Sequence, residues 1–351
     1  PIYMEDKLSG KEPDGTVITL HPVESIGEQI YSLQKHEDFG FEALQIQAPK
    51  MLATIREAKR MAPLDAPLLI QGETGTGKEM LARACHMSSP RGRSAFMVLN
   101  CASLPDNLAE TELFGYAPSA FEGARKEGKL GLLDLASGGS IFLDEVGEMS
   151  PHLQVKLLRF LQDGSFRRVG SEDEIQVDVR VICSTQKDLA ELCEQNLFRE
   201  DLFHRLNVLT LVIPPLRSCK EGIIDLANHF INRACTQIGT SNRVLSDDAK
   251  LVLNQYHWPG NVRQLENLLY QAVSICEEVI EADHIRLPAL NNSNTQPLDL
   301  SGHWGDIIAR IEQQILASLY PDFPSSRLLA KRLGVSHTTI ANKLRSYCIG
   351  Q

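Results

Sequence analysis

The sequence predicts an α/β fold in which a parallel sheet covered by helices is followed by an all-helical lid and, last, by a small all-α domain. Three observations carry that prediction. Between about residues 40 and 213, short apolar runs alternate with stretches of helical periodicity. After Pro214-Pro215 no further strand-like run follows. From Ser325 to Gln351 every Asp, Glu, Lys or Arg is basic: Arg327, Lys331, Arg332, Lys343 and Arg345.

In chain order, "TVITLHPV" follows the turn signal Pro13-Asp14-Gly15, and "SIGEQIYSLQ" has helical spacing. Residues 1–40 therefore read as the last strand of an upstream domain and a connecting helix, and the missing initiator Met suggests a fragment. Within 41–213 the strand candidates are "APLLIQG", "FMVLNCA", "GSIFLDEV", "VRVICST" and "VLTLVIPPL", with helices such as "KEMLARACHMS" and "PHLQVKLLRFLQDG" between them. Uninterrupted apolar runs of this kind suit strands buried on both faces. Residues 214–290 read as the helical lid, and 291–303 as a polar linker inside "PALNNSNTQPLDLSGH". In 304–351 a first amphipathic helix carries Ile307, Ile308, Ile311, Ile315, Leu316 and Leu319 on one face.

Composition narrows the function classes. Hydrophobic residues make up 43% and charged residues 23%, as in an ordinary globular protein. No apolar run approaches the roughly 20 residues of a membrane span, and the start has no signal-peptide pattern. A cytoplasmic protein with no membrane partner is expected. Eight cysteines at irregular spacing, without a C-x-x-C pair, read as reduced thiols and not as zinc ligands or disulfides. The net charge of −10 is uneven, because residues 1–324 carry 30 basic against 45 acidic residues, a net −15. An acidic body thus carries a basic tail.

The most specific motif is "GETGTGKE", running Gly72, Glu73, Thr74, Gly75, Thr76, Gly77, Lys78, Glu79 between an apolar run and a helix. Glycines let backbone N–H groups turn toward phosphates, the helix N-terminus adds positive potential, and Lys78 neutralises the outer phosphates of ATP. Glu79 stands where Ser or Thr usually contacts Mg²⁺, so Thr76 or water takes that role in this reading. About 65 residues on, "IFLDE" ends a strand in two acids. Asp144 is placed to hold Mg²⁺ through water and Glu145 to orient the attacking water.

Together these motifs resemble the AAA+ P-loop ATPase domain of bacterial enhancer-binding transcription activators over roughly residues 41–288. The resemblance implies further roles. "FREDLFHRLNVL" is similar to an arginine-finger segment, so Arg199 and Arg205 reach a neighbouring subunit's ATP; each could instead pair with Glu200 or Asp201 of its own chain. "WPGNVRQLEN" places the sensor Arg263 near the phosphates, and "LNCASL" places Asn100 where the family holds the catalytic Glu in a switchable position. "CSTQKDL" resembles the first sensor, with Gln186 in place of the usual Asn.

The tail, "SSRLLAKRLGVSHTTIANKLRSYCI", has helix–turn–helix grammar: a first helix, Gly334 at the turn, Ser336 as cap, then a second helix. Ile340 and Leu344 face inward. Ser336, His337, Thr338, Thr339, Asn342, Lys343 and Arg345 are left for solvent or for double-stranded operator DNA, and a small protein-docking domain is the alternative. The tail resembles the Fis-type domain that ends enhancer-binding proteins. Within that group "FRRVG", "VDVRVICSTQKDL", "LNVLTL", "RLGVSHTTIANKLR" and Gln186 are similar to regulators of aromatic amino acid metabolism of the TyrR/PhhR type. That resemblance implies an aromatic effector (tyrosine or phenylalanine), a PAS-like domain ending near residue 40, RNA polymerase as a partner, and self-association as a dimer and an ATP- and effector-dependent hexamer. In the sigma-contacting loop of the wider family a G-A-F-T-G-A motif is expected; here Phe121 is kept and Glu122 replaces the Thr. That change favours a ligand-controlled repressor and activator over a motor that remodels the nitrogen-type sigma factor.

Overall fold

The computed structural model describes residues 2–4, 18–20, 40–44, 48–287, 303–320, 323 and 325–347. The expected connecting helix at 25–34 and the linker up to residue 302 lie outside the described residues. Near the start, β1 (Ile2–Met4) pairs antiparallel with β2 (Ile18–Leu20), Ile2 opposite Leu20. The sequence reading contained β2 and not its partner.

Two compact units follow from the contacts, residues 1–286 and 287–351. In the first, helix α1 (Pro49–Met61) leads into β3 (Leu68–Gln71), α2 (Lys78–Met87), β4 (Phe96–Asn100), α3 (Asp106–Phe114), α4 (Leu132–Leu135) and β5 (Ser140–Asp144). Next come α5 (Pro151–Asp163), the short strands β6 (Ser165–Arg167) and β7 (Glu174–Gln176), β8 (Arg180–Thr185), α6 (Leu189–Glu194), α7 (Glu200–Leu206) and β9 (Leu209–Val212). The five expected strands form one sheet in the order β4-β5-β8-β3-β9, and every pairing is parallel. Ile141, Phe142 and Leu143 of β5 are fully buried, as are Leu69 and Ile70 of β3. Burial on both sheet faces is why these strands appear as continuous apolar runs and not as alternation. Register brings Asn100 beside Asp144 and Gln71 beside Thr185, so the polar strand ends gather along one edge. Ligands of open parallel sheets bind at that carboxyl edge.

The β6–β7 hairpin was not expected, since three residues per strand show no periodicity. Its turn is pressed against the 116–129 loop: a Cβ at Gly170 would lie 2.6 Å from that of Ala120.

The lid consists of α8 (Ile223–Ile238), α9 (Asp247–Gln255) and α10 (Asn261–Ile275), closed around Trp258, which is fully buried and donates from Nε1 to the Leu253 carbonyl at 2.9 Å. The expectation that strands end at Pro214-Pro215 needs one correction. Val244–Leu245 (β10) pairs in parallel with Val279–Ile280 (β11), a two-residue ladder too short to leave a pattern in the sequence.

In the second unit, α11 (Trp304–Leu319), α12 (Ser326–Leu333) and α13 (His337–Ser346) surround a small core of Leu316, Leu329, Ala330, Ile340 and Leu344. Gly334 adopts a left-handed conformation (φ 67°) to stop α12, and the Ser336 hydroxyl accepts from Thr339 N at 3.2 Å to start α13. No described helix is long and apolar enough to cross a membrane.

Candidate functional sites: a phosphate cradle and a recognition helix

Between β3 and α2 the chain folds back over itself at Gly75 (φ 77°) and Gly77 (φ 94°), angles that exclude most L side chains. Gly77 is the residue before α2 and supplies no side-chain cap. The first N–H groups of α2 therefore keep no intrahelical acceptor and point at the loop's concavity. Lys78, only 7% exposed, spans this cradle: its Nζ donates to the Gly72 carbonyl at 3.0 Å and to Glu145 Oε1 at 3.1 Å. The set fits the triphosphate of ATP, with uncapped backbone donors at the helix start, a buried cation and open space beside Gly77.

Asp144 and Glu145 part company at the strand end. Asp144 stays in the sheet, where its carboxylate accepts from Asn100 Nδ2 at 3.1 Å and from the Ser184 hydroxyl. Glu145 takes a left-handed conformation (φ 55°, ψ 51°), unusual without glycine, and so turns to Lys78; its other oxygen accepts from Gln186 N at 3.2 Å. Asn100 was expected where the family holds the catalytic Glu in a switchable position; in this structure its Nδ2 donates to Asp144. Register sets Asn100 against Asp144, while the kink turns Glu145 toward Lys78. Among the described residues no three His, Cys, Asp or Glu side chains cluster as a metal site. A lone carboxylate such as Asp144 suits Mg²⁺ held mainly by phosphate and water. Thr76 is buried and gives its proton to the Glu73 carbonyl at 2.7 Å, which leaves its oxygen lone pairs unused by that bond. Glu79 faces away, bonded to Arg83 at 2.8 Å and 3.0 Å.

Gln186 reaches back over the cradle, its side-chain oxygen accepting from the Thr74 hydroxyl. Arg263 lies at the start of α10, its backbone N–H 3.3 Å from the Gly75 carbonyl, so the sensor segment meets the phosphate loop. Two residues in this contact escaped the sequence reading. Asn261 (φ 48°) is completely buried and donates from Nδ2 to the Thr74 carbonyl at 3.0 Å and to Glu73 at 3.1 Å. Arg217 grips Glu73 in a two-pronged ion pair at 2.5 Å and 2.7 Å, and that guanidinium, helped by Asn261 and against the opposing effect of burial, holds the Glu73 carboxyl below the usual range. The Gly260-Asn261 turn dipeptide was the only signal pointing to Asn261.

The two candidate arginine fingers differ. Arg199 forms a two-pronged pair with Asp201 of its own chain at 2.6 Å and 3.0 Å, the intrachain alternative left open above. Arg205 is exposed, and no ion-pair partner is found for it among the described residues. The seven cysteines among the described residues are free and six are buried, with burial raising the Cys101 thiol to about 12.

The 116–129 loop is clasped at its base where Tyr116 bridges to Lys129 and Val169. Phe121 meets the Tyr116 ring edge-on at 5.1 Å yet remains 47% exposed, with Glu122 exposed beside it.

On α13, Thr338, Thr339, Asn342 and Arg345 are exposed, opposite the buried Ile340 and Leu344. His337 is also exposed, its Nε2 2.9 Å from the Ser326 hydroxyl. Ser336 is occupied as the cap. Lys343 departs from the expectation of a free DNA-facing cation: it is half-buried and paired with Glu312 of α11, which also accepts from the Tyr347 hydroxyl at 2.9 Å. The acid-free stretch begins only at Ser325, so the counterion came from outside the window that suggested a uniformly basic surface.

Comparison with known proteins agrees with this architecture. A sigma-54 interaction domain model matches residues 44–212, an AAA+ ATPase lid domain model residues 217–300 and a helix-turn-helix domain model residues 302–350. Fold and sites thus define a DNA-binding transcription regulator built on an AAA+ ATP-binding domain. The solved structure of NtrX from Brucella abortus in complex with ATP is 34% identical with a TM-score of 0.64, covering 86% of this chain and 68% of that one. The HTH-type transcriptional regulatory protein TyrR of Enterobacter agglomerans is 49% identical over 100% of this chain and 68% of its own. That of Haemophilus influenzae is 45% identical over 89% and 96%. The chain belongs to the TyrR family of HTH-type transcriptional regulatory proteins.

Proposed function

We propose that the chain binds operator DNA through α13 and represses or activates genes of aromatic amino acid metabolism or transport, with ATP and an aromatic amino acid controlling its self-association. RNA polymerase is the partner on DNA, and the site of action is the cytoplasm. In this reading residues 41–213 and 214–290 form the nucleotide-binding subdomain and its lid, 291–303 a linker and 304–351 the DNA-binding domain, preceded in 1–40 by the end of a PAS-like sensor. ATP is held by the Gly72 to Glu79 loop and Lys78, with Mg²⁺ supported by Asp144. Self-association converts weak single-domain DNA contacts into strong ones, because a second tethered domain binds at high effective concentration.

The observation that carries the reading is the loop tip beside an intact cradle. Phe121 stands out as a contact residue, but Glu122 puts a charge where a small hydroxyl is expected. A motor's contact tip is altered while its ATP pocket is kept. Turnover is slow in this reading, since the Gln186 carboxamide is already engaged by Thr74.

One observation favours a second reading, an ATP-hydrolysing activator that remodels the nitrogen-type sigma factor. Asp144 and Glu145 sit at the cradle and Arg205 is exposed without an ion-pair partner among the described residues, as a finger in trans requires. Transcription in vitro with each sigma factor separates the two. Activation or repression with the housekeeping factor supports the first, and open-complex formation only with the nitrogen-type factor overturns it.

A further inference from the structure

A carboxylate in a phosphate-binding loop is electrostatically awkward, because it repels the ligand that the loop attracts. Glu73 is such a residue, the second of the Gly72 to Glu79 loop. Its charge is answered from the lid side: Arg217 lies just past the end of the sheet, and Asn261 begins α10.

These contacts belong to a larger seam. The Thr74 carbonyl accepts from the Asn261 side chain, the Gly75 carbonyl accepts from Val262 N at 2.9 Å, and Leu216 N donates to Asn261 Oδ1 at 2.9 Å. At Gly75 even a methyl group would meet the Gly260 carbonyl at 2.4 Å. The lid cannot shift over the cradle without breaking this seam or dragging the phosphate loop with it. Its two halves differ in accessibility. Asn261 is completely buried and acts as a fixed post, whereas Glu73 and Arg217 are 42% and 40% exposed, open to water and salt.

We propose that Glu73 is a positioning residue, which with Arg217 forms the releasable half of a latch between phosphate loop and lid and so sets how fast nucleotide leaves. This rests on the reading of the cradle as an ATP site. The latch also makes the pair's members unequal. Losing Glu73 loosens the lid and leaves a cation beside the phosphates. Losing Arg217 loosens the lid and also exposes an unanswered carboxylate to the incoming nucleotide.

The test uses the full chain and a fluorescent ATP analogue with Mg²⁺, following association and, after excess unlabelled ATP, dissociation. Glu73→Gln is expected to speed dissociation about three- to fivefold, in line with an exposed ion pair, without slowing association. Arg217→Gln is expected to speed dissociation similarly and to slow association, more so at low salt. In the double variant Glu73→Gln/Arg217→Gln, dissociation should be no faster than in either single variant, because the latch is broken once. Unchanged dissociation in both single variants, or effects that multiply in the double, overturns the latch. Thermal unfolding of each variant separates a loosened lid from a damaged fold, and a variant whose only change is a lower melting temperature counts against the latch. If wild type and Lys78→Ala both fail to bind the analogue, the reading of the cradle itself falls; if only Lys78→Ala fails while the latch variants behave as wild type, the latch alone falls.

Discussion

Two helices in this molecule begin at functional surfaces, and they begin in opposite ways. Helix α2 starts after Gly77, left-handed and without a side-chain cap, so its first N–H groups are unspent. Helix α13 starts after Ser336, whose hydroxyl accepts from Thr339 N. An open terminus offers backbone dipoles to an anion whatever its identity, which suits a phosphate chain. A capped terminus spends one of those donors on its own side chain, and the exposed side chains Thr338 and Asn342 beside it suit reading a base sequence. The open end also costs stability, and it is anchored from elsewhere. In the last turn of α2, His86 is buried with Nδ1 2.9 Å from the Ser140 hydroxyl and Nε2 3.2 Å from the Ser94 carbonyl.

The largest expected effect lies at the open end. Lys78→Ala removes the one buried cation of the cradle and should weaken ATP binding roughly a hundredfold, the scale of a lost hydrogen bond to a charged group, as read by calorimetric titration. Equal affinity in the variant would mean that the open terminus alone holds the anion.

The anchor comes next. Burial, the largest cause, lowers His86 from its ordinary 6.5 to about 4, so the folded protein keeps it neutral. Below pH 6.5 the unfolded chain takes up a proton that the folded chain refuses, and stability from this group falls as pH drops toward 4. The full loss is about 3 kcal/mol. Urea unfolding at pH 7 and pH 5 should read about 2 kcal/mol of it, and His86→Gln should flatten the difference.

At the closed end, Asn342→Ala should weaken operator binding about tenfold with little change in salt slope, whereas Arg345→Ala should reduce the slope by about one. Lys343→Ala should change the slope by less than one, because Lys343 already answers Glu312. Fluorescence anisotropy across a salt series ranks the three, and a larger slope change for Lys343 would place it on the DNA face. Last, Ser336→Ala removes the cap and should destabilise the helix–turn–helix unit by about 1 kcal/mol, seen as a lowered melting temperature. DNA affinity unchanged at temperatures well below melting would confirm that the cap shapes α13 without contacting DNA.

The open terminus was legible because all its parts lie within eight residues, Gly72 to Glu79, flanked by an apolar strand and an amphipathic helix. The cap and turn of the tail were legible for the same reason, since Ser336 acts on Thr339 three residues away and Gly334 stops the preceding helix. The central strands β3, β5 and β8 showed themselves as apolar runs because each is buried on both faces.

Pairings across long stretches of chain were not legible. Glu73 meets Arg217 over 144 residues and Asn261 over 188, and nothing at any of the three positions names its partner. Asn100, expected beside the catalytic Glu by motif, bonds its register partner Asp144 in this structure. Lys343 was counted as free because its counterion lies 31 residues upstream. By itself the sequence determined the elements, the phosphate loop and the DNA-binding tail, because hydrophobic periodicity, glycine at positive φ and helix capping act over a few residues. Only the tertiary structure decided which carboxylate answers which cation, because that depends on sheet register and on how the lid closes, and both are set by packing between segments far apart in the chain.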